Sequence, residues 1–409
     1  MSHPIPALGI PLESPLRRPA VARRTAIVLG VLLLIASAII CLVVGGLGSE
    51  AAQVFLRALA LSSALSVVPI TVLWYLDRRE RETPALYAAA FLWGGLIATS
   101  FALPLNTAVL QAVAAWLEHN ASLREMLGPE AALMIGAPLA APIVEETTKG
   151  IGILLLFWLV RGEFDNTRDG FIYGALVGAG FNWFESALYV QQNFVQFGTA
   201  PFGFQLGARY AWLGLAGHAM FSGIFGAAVG YARVTARRWW GAIVAVAGFL
   251  AAMLAHAWNN GLPLLFAIAQ AREGKAPPTE VEAPPALGLF EAMWQASLSN
   301  LVIFLPFVIL LVWILRKSGE RERRVIREEL ADEVDGAVTA DEYRAILADK
   351  RFRTRRIDAR NVGASKALID AQHELAFRKR RLKLRDHDVA SDPVLVARRA
   401  QIAGLRKRL

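Results

Sequence analysis

Eight long apolar runs dominate the chain, at about 25–48, 54–76, 84–116, 131–160, 170–191, 209–232, 239–265 and 289–315. A helix needs about 20 apolar residues to cross the hydrocarbon core of a bilayer. Runs of this length and number predict an all-α, polytopic transmembrane helical bundle of about eight spans. In lipid every backbone amide and carbonyl must find its partner within the protein, which a helix achieves alone. With 55% of 409 residues hydrophobic, a soluble fold is not a serious rival. The third and fourth runs exceed one span, so tilt or a break is expected there, with Pro104, Pro138 and Pro142 as candidate break points.

Basic residues in short loops set the expected orientation. Arg17, Arg18, Arg23 and Arg24 precede the first run; Arg78, Arg79 and Arg81 follow the second; Arg161 and Arg168 the fourth; Arg233, Arg237 and Arg238 the sixth. The alternate loops near 50, 120, 200 and 275 are poor in Lys and Arg, which places both termini in the cytoplasm. The first apolar core is about 20 residues long, too long for a cleaved signal peptide, and reads as a retained anchor.

Three segments result: a cytoplasmic N-terminal stretch at 1–24, a transmembrane region at 25–315 and a basic helical cytoplasmic appendage at 316–409. That appendage holds 25 Lys/Arg against 16 Asp/Glu, a net +9 that equals the charge of the whole chain. Its bases are interleaved with acids and form no nucleic-acid motif. Contact with anionic lipid is therefore the expected partner of the tail, and nucleic acid is not. Thr339 with Glu342 forms a capping-box pattern, Ser365 is a candidate cap, and Ser391 or Asp392 precedes Pro393 at a helix start. His373 and His387 read as solvated.

The transmembrane region carries ionisable groups where each costs about 2.5–3.5 kcal/mol to insert. Glu145, Glu146 and Lys149 occupy one helical turn, with pairs at i, i+4 and i, i+3, so Lys149 can match one carboxylate and leave the other in excess. The next run carries Gly170, Gly174 and Gly178 at four-residue intervals, a stripe that admits a close neighbouring helix. Beyond it, Asn182 and Glu185 share a face. His218 and His256 are the histidines inside the predicted spans, each on a later helix. Helical rise puts Glu185, His218 and His256 at similar depth in the outer half, with Glu145 somewhat deeper.

A carboxylate and two imidazoles around an open position are the ligand set of hydrolytic zinc, with a further glutamate as general base. The lone cysteine, Cys41, excludes a Cys-rich site. Clustered acids and histidines at membrane depth also describe an ion-coupled transporter, but no inverted repeat is visible. A scaffold whose polar groups merely lock the bundle is the third reading.

These residues resemble the PrsW family of intramembrane proteases, itself similar to the CAAX-type membrane peptidases. The resemblance rests on Glu145-Glu146-x-x-Lys149, on Asp169-Gly170-Phe171-Ile172-Tyr173-Gly174 leading to Phe181-x-x-x-Glu185, on His218, and on His256 with the asparagines that follow it. It covers about 68–265 and leaves out the tail. A CAAX-type enzyme would carry His where this chain has Glu185.

The resemblance implies an endopeptidase of the bacterial inner membrane, set in the lipid bilayer, that cleaves a single-span membrane protein such as an anti-sigma factor near the outer face. Carried over, Glu145 would activate water, Glu146 would be held by Lys149, and Glu185, His218 and His256 would bind zinc, with Asn182 and Asn260 in support. A metal-free glutamic mechanism is the alternative. Family members often have Asn where this chain has Ser186.

Overall fold

The computed structural model describes residues 19–46, 48–77, 83–160, 164, 166–235, 237–348, 361–383, 387–407 and 409. Arg17, Arg18, Arg78, Arg79, Arg81 and Arg161, used above for orientation, lie outside them, as does most of the N-terminal segment. The described residues are helical, with no strand beyond an isolated bridge between Val334 and Val338.

Among them five helices are long and apolar enough to cross a membrane, or up to seven if each of two bent pairs is one span. The five are α1 (Pro19–Gly45), α2 (Ser49–Leu76), α3 (Pro84–Leu92) continued by α4 (Thr99–Glu118), the segment Trp212–Val234, and Arg238–Arg272. The bent pairs are α5 (Ala121–Leu127) with α6 (Ala131–Leu159), and two helices near 300. Large apolar side chains on α1, α2 and α6 stay exposed, among them Leu34, Leu42, Val67 and Ile143. A lipid-facing surface requires that distribution.

The expected span at 170–191 is α7 (Thr167–Phe197), a helix that does not meet the apolar criterion. It needs no lipid-compatible surface, because 20 of its 31 residues are buried by neighbouring helices. Asn166 caps its start in a reciprocal capping box with Asp169. The glycine stripe turns toward α9 (His218–Val234). A Cβ at Gly178 would strike the carbonyl oxygen of His218, and one at Gly174 that of Ser222. Small residues here bring two backbones into contact, and so fix the first turn of α9 against α7.

The chain stays helical through Pro104, Pro138 and Pro142. The irregularities fall elsewhere. A π-helical turn at Trp93–Ala98 joins α3 to α4, where Gly94 and Gly95 lie against α7. A 95° bend separates α5 from α6 at Gly128, whose φ of 78° suits glycine. The helices near 300, α11 (Leu289–Ser299) and α12 (Leu301–Leu330), meet at 84°. Between α7 and α9 runs the short α8 (Phe202–Arg209), and α10 (Arg238–Arg272) follows α9.

Contacts divide the chain into two compact units, a larger one that ends at Leu311 and a smaller one that runs from Val312 and also takes in Asp77. In the smaller, α12 continues into α13 (Ala340–Ala348), α14 (Val362–Lys383) and α15 (Pro393–Arg406). Leu330, Val338, Ile346, Leu375, Leu395 and Ile402 form its core. The Thr339–Glu342 box forms, and Asp392 accepts from the Leu395 amide as the cap of α15. Ser365 is buried inside α14, while Asn361 accepts from the Ala364 amide at its start. His373 is buried rather than solvated; amphipathic packing turns it inward along with Leu375. Many bases are matched internally, among them Arg399 on Glu333, Arg406 on Glu342 and Arg378 on Asp392.

Candidate active site

The helices of the larger unit bring Glu145, Glu146 and Lys149 from α6, Glu185 from α7, His218 from α9 and His256 from α10 to one place. Glu145, Glu146, Lys149 and His256 are at most 2% exposed. The Lys149 ammonium lies 2.6 Å from Glu146 Oε1 and 3.5 Å from Glu145 Oε2, so Glu146 takes the closer ion pair. The same ammonium donates to His218 Nδ1 at 3.0 Å and stands 4.2 Å from the centre of the Phe181 ring.

Each imidazole leans on a carboxylate. His256 Nδ1 is 2.9 Å from Glu146 Oε1, and His218 Nε2 is 2.7 Å from Glu185 Oε2. A carboxylate on one ring nitrogen fixes the tautomer and points the other nitrogen away. For both rings that other nitrogen faces Glu145: its Oε2 is 3.8 Å from His218 Nδ1 and 3.9 Å from His256 Nε2. Phe221 stacks on His256 with ring centres 5.1 Å apart and holds it from the side.

Glu145 itself is oriented by Asn106 of α4, whose side-chain amide donates to Oε1 at 2.9 Å. Its Oε2 is buried and accepts no hydrogen bond among the described residues. An unsatisfied buried carboxylate oxygen is expensive, and its persistence calls for a function or a bound cation. Glu145, His218 and His256 each offer one ligand atom, all within 4.8 Å of one another. Three carboxylates, Glu145, Glu146 and Glu185, face two cations, Lys149 and Arg209. The donor set, the unsatisfied oxygen and the surplus negative charge all fit a divalent metal ion.

Glu185 is not part of that group. Its Oε2 lies on the opposite nitrogen of His218 and also receives Arg209 Nη1 at 2.6 Å. Asn182 donates to the Arg209 carbonyl at 3.3 Å and Asn260 to the Ala137 carbonyl at 3.5 Å. Ser186 turns back to the Asn182 carbonyl. Sequence reasoning did not single out Arg209 or Asn106. Arg209 stands at the start of an apolar run and reads as a loop cation, while Asn106 is one amide in a long span. Asn106 is 39 residues from Glu145 and Arg209 is 24 from Glu185, so helical spacing carries no signal for either.

The cluster opens on a cavity of about 800 Å³. Asn106, Glu145, Glu185, Arg209, His218 and His256 line it, as do Phe197 at the end of α7 and Phe204 of α8. Its wall is rich in amides, including Asn182, Gln192, Asn193, Gln205, Asn259 and Asn260. Such a wall can meet the N–H and C=O groups of an extended peptide.

Residues 82–273 match the model of the PrsW family intramembrane metalloprotease. The match bears out the resemblance and covers every side chain of the cluster. Residues 82–273, a little under half of the chain, are thus similar to a family of intramembrane proteases, and the long apolar helices make the chain an integral membrane protein. Neither a curated protein nor a solved structure matches the chain.

Proposed function

We propose that this chain is a zinc endopeptidase of the bacterial inner membrane that hydrolyses a single-span membrane protein, with an anti-sigma factor as one candidate substrate. The observation that carries this reading is Glu145 Oε2, buried without a donor and facing one nitrogen from each of two imidazoles beside the cavity. Both termini face the cytoplasm, and the substrate segment enters the cavity from the bilayer or its outer surface. Exposed bases of the tail such as Lys366 and Lys407 touch anionic lipid.

Glu145, His218 and His256 would hold the metal. Zinc so held lowers the pKa of a bound water to about 7 and polarises a carbonyl. Glu146 keeps the proton of His256 on Nδ1, and Glu185 keeps that of His218 on Nε2. Lys149 balances Glu146, and Asn106 fixes the carboxylate plane of Glu145. Among the described residues Glu185 makes its hydrogen bonds through Oε2, and it lines the cavity, so it is the carboxylate assigned to take a proton from water. This exchanges the roles that the resemblance gives Glu145 and Glu185, because among the described residues it is Glu145 that shares a common centre with both histidines. One contact favours a metal-free glutamic mechanism instead: Lys149 Nζ stands on His218 Nδ1, the nitrogen nearer Glu145. Glu145 would then take the proton itself.

Purified protein in detergent, a single-span substrate and elemental analysis decide among these. On the metal reading Glu145→Ala loses both zinc and cleavage, while Glu185→Gln loses cleavage and weakens zinc by about 10–100-fold without abolishing it. The reverse pattern restores the sequence-based roles. Equal and negligible zinc in active wild type and both variants establishes the glutamic reading, and wild type with no cleavage of any membrane-anchored substrate sinks the proposal.

A further inference from the structure

Arg209, the last residue of α8, is held by a stripe of three residues on one face of α7. Asn182, Glu185 and Tyr189 are spaced i, i+3 and i+7. Asn182 donates to the Arg209 carbonyl at 3.3 Å, Glu185 Oε2 accepts from its Nη1 at 2.6 Å, and the Tyr189 ring lies 4.1 Å from its guanidinium carbon. Glu185 Oε2 is also the oxygen on His218 Nε2 at 2.7 Å. One carboxylate oxygen thus joins the guanidinium to the imidazole.

We propose that Arg209 is a positioning residue: it fixes Glu185, and through Glu185 the tautomer and ring orientation of His218. This rests on the function proposed above and deepens it. An isolated carboxylate on an imidazole can rotate about its last torsion or draw a second proton onto the ring. A planar guanidinium, clamped by a ring beneath it and by its own backbone, removes the first freedom and offsets the charge behind the second. Outer-shell partners of metal-binding histidines act in this way and carry about 10–100-fold in affinity or activity.

The placement of α8 gives this link a purpose. Phe204, Gln205 and Ala208 face the cavity, whereas Gly203 and Gly207 press on the backbone of Leu287–Met293, at the start of α11. A substrate pushing on the cavity face of α8 therefore pushes on the residue that sets His218. Site geometry and cavity occupancy are coupled through one short helix.

The test uses full-length protein labelled with ¹⁵N-histidine, zinc titration and steady-state cleavage, in wild type, Arg209→Met, Arg209→Lys, Glu185→Gln and the double variant Arg209→Met/Glu185→Gln. Arg209→Met is expected to weaken zinc about 10–100-fold and to lower kcat with little change in KM. It also shifts the His218 ring nitrogens away from a single Nε2–H tautomer. Arg209→Lys keeps the charge but not the planar fork and recovers part of each signal, which a general packing defect would not allow. The double variant is no worse than Glu185→Gln alone, since both act along one line. Wild-type ring shifts and zinc affinity in Arg209→Met overturn the proposal. Wild type that neither binds zinc nor cleaves overturns the function above, while the His218 shifts still decide the role of Arg209.

Discussion

Two lysines, Lys149 in the membrane unit and Lys379 in the appendage, are almost wholly buried among acids. Lys379 donates to the Glu329 carbonyl at 2.7 Å, to Asp332 at 2.5 Å and to Glu333 at 2.8 Å. Three donors meet three acceptors, two of them charged. Lys149 bonds Glu146 and His218, stands off from Glu145 at 3.5 Å, and leaves Glu145 Oε2 without a donor. The same residue type at the same depth builds a closed junction in one place and an incomplete one in the other. Incompleteness beside a cavity points to chemistry, while closure points to architecture.

The largest expected effect breaks the incomplete junction. Glu145→Gln should cut cleavage by more than the roughly 10–100-fold that outer-shell partners carry, yet leave the thermal midpoint level or raised, because it removes an uncompensated buried charge. A fall in the midpoint matching the loss of cleavage would make Glu145 architectural.

Lys379→Met should do the opposite. It takes one of two cations from Glu333, which keeps Arg399, and leaves the Glu329 carbonyl and a largely exposed Asp332 without the ammonium, at a cost below the roughly 3–5 kcal/mol of breaking a fully buried pair. Faster protease cleavage confined to 312–409, with unchanged turnover of substrate, is the expected result. Equal loss of turnover would erase the contrast.

Acid should sharpen it further. Burial pushes the Glu333 carboxyl up, but hydrogen bonds from Arg399 and Lys379 outweigh that and hold it below its ordinary value. The hydrogen bond from Arg378 does the same for Asp392. A depressed folded pKa means that the unfolded chain binds more protons in acid. This stability is present above the ordinary carboxylate value of about 4 and is lost as pH falls through the lower folded value. Amide exchange across 362–406, corrected for intrinsic rates, should rise below pH 4 and stay flat between pH 6 and 8.

The smallest effects concern glycine. Gly178→Ala drives a Cβ into the His218 carbonyl and should cost about 1–3 kcal/mol with matching loss of cleavage. Gly363→Ala meets nothing within 4 Å and lies near the start of α14, so a gain of about 0.5–1 kcal/mol is expected by thermal melting. Reversed signs at the two positions would undo the packing account.

Much of the site is legible in the sequence because helical spacing is local. Glu145, Glu146 and Lys149 fall on one turn whatever surrounds them, and His218 and His256 stand out for lying in apolar runs. Which carboxylate faces both rings is not local: it depends on the rotation of α6 against α9 and α10, set by packing. Arg209 escapes for the same reason, since its meaning comes from a face of α7 about 20 residues earlier. Prolines mislead on the breaks, because a helix packed among others can continue through Pro104, Pro138 and Pro142. The positive φ at Gly128 carries the bend instead.

The stripe of small residues between α7 and α9 has a kinematic meaning. With Gly170, Gly174 and Gly178 set against backbone of α9, any slide of less than a turn forces a carbonyl oxygen into a neighbouring α-carbon. The two helices therefore travel as one strut, with Glu185 and His218 mounted on the same rigid member. Whatever opens to admit a substrate must be carried by the helices around that strut, and the distance between those two side chains becomes the fixed gauge against which the rest of the bundle moves.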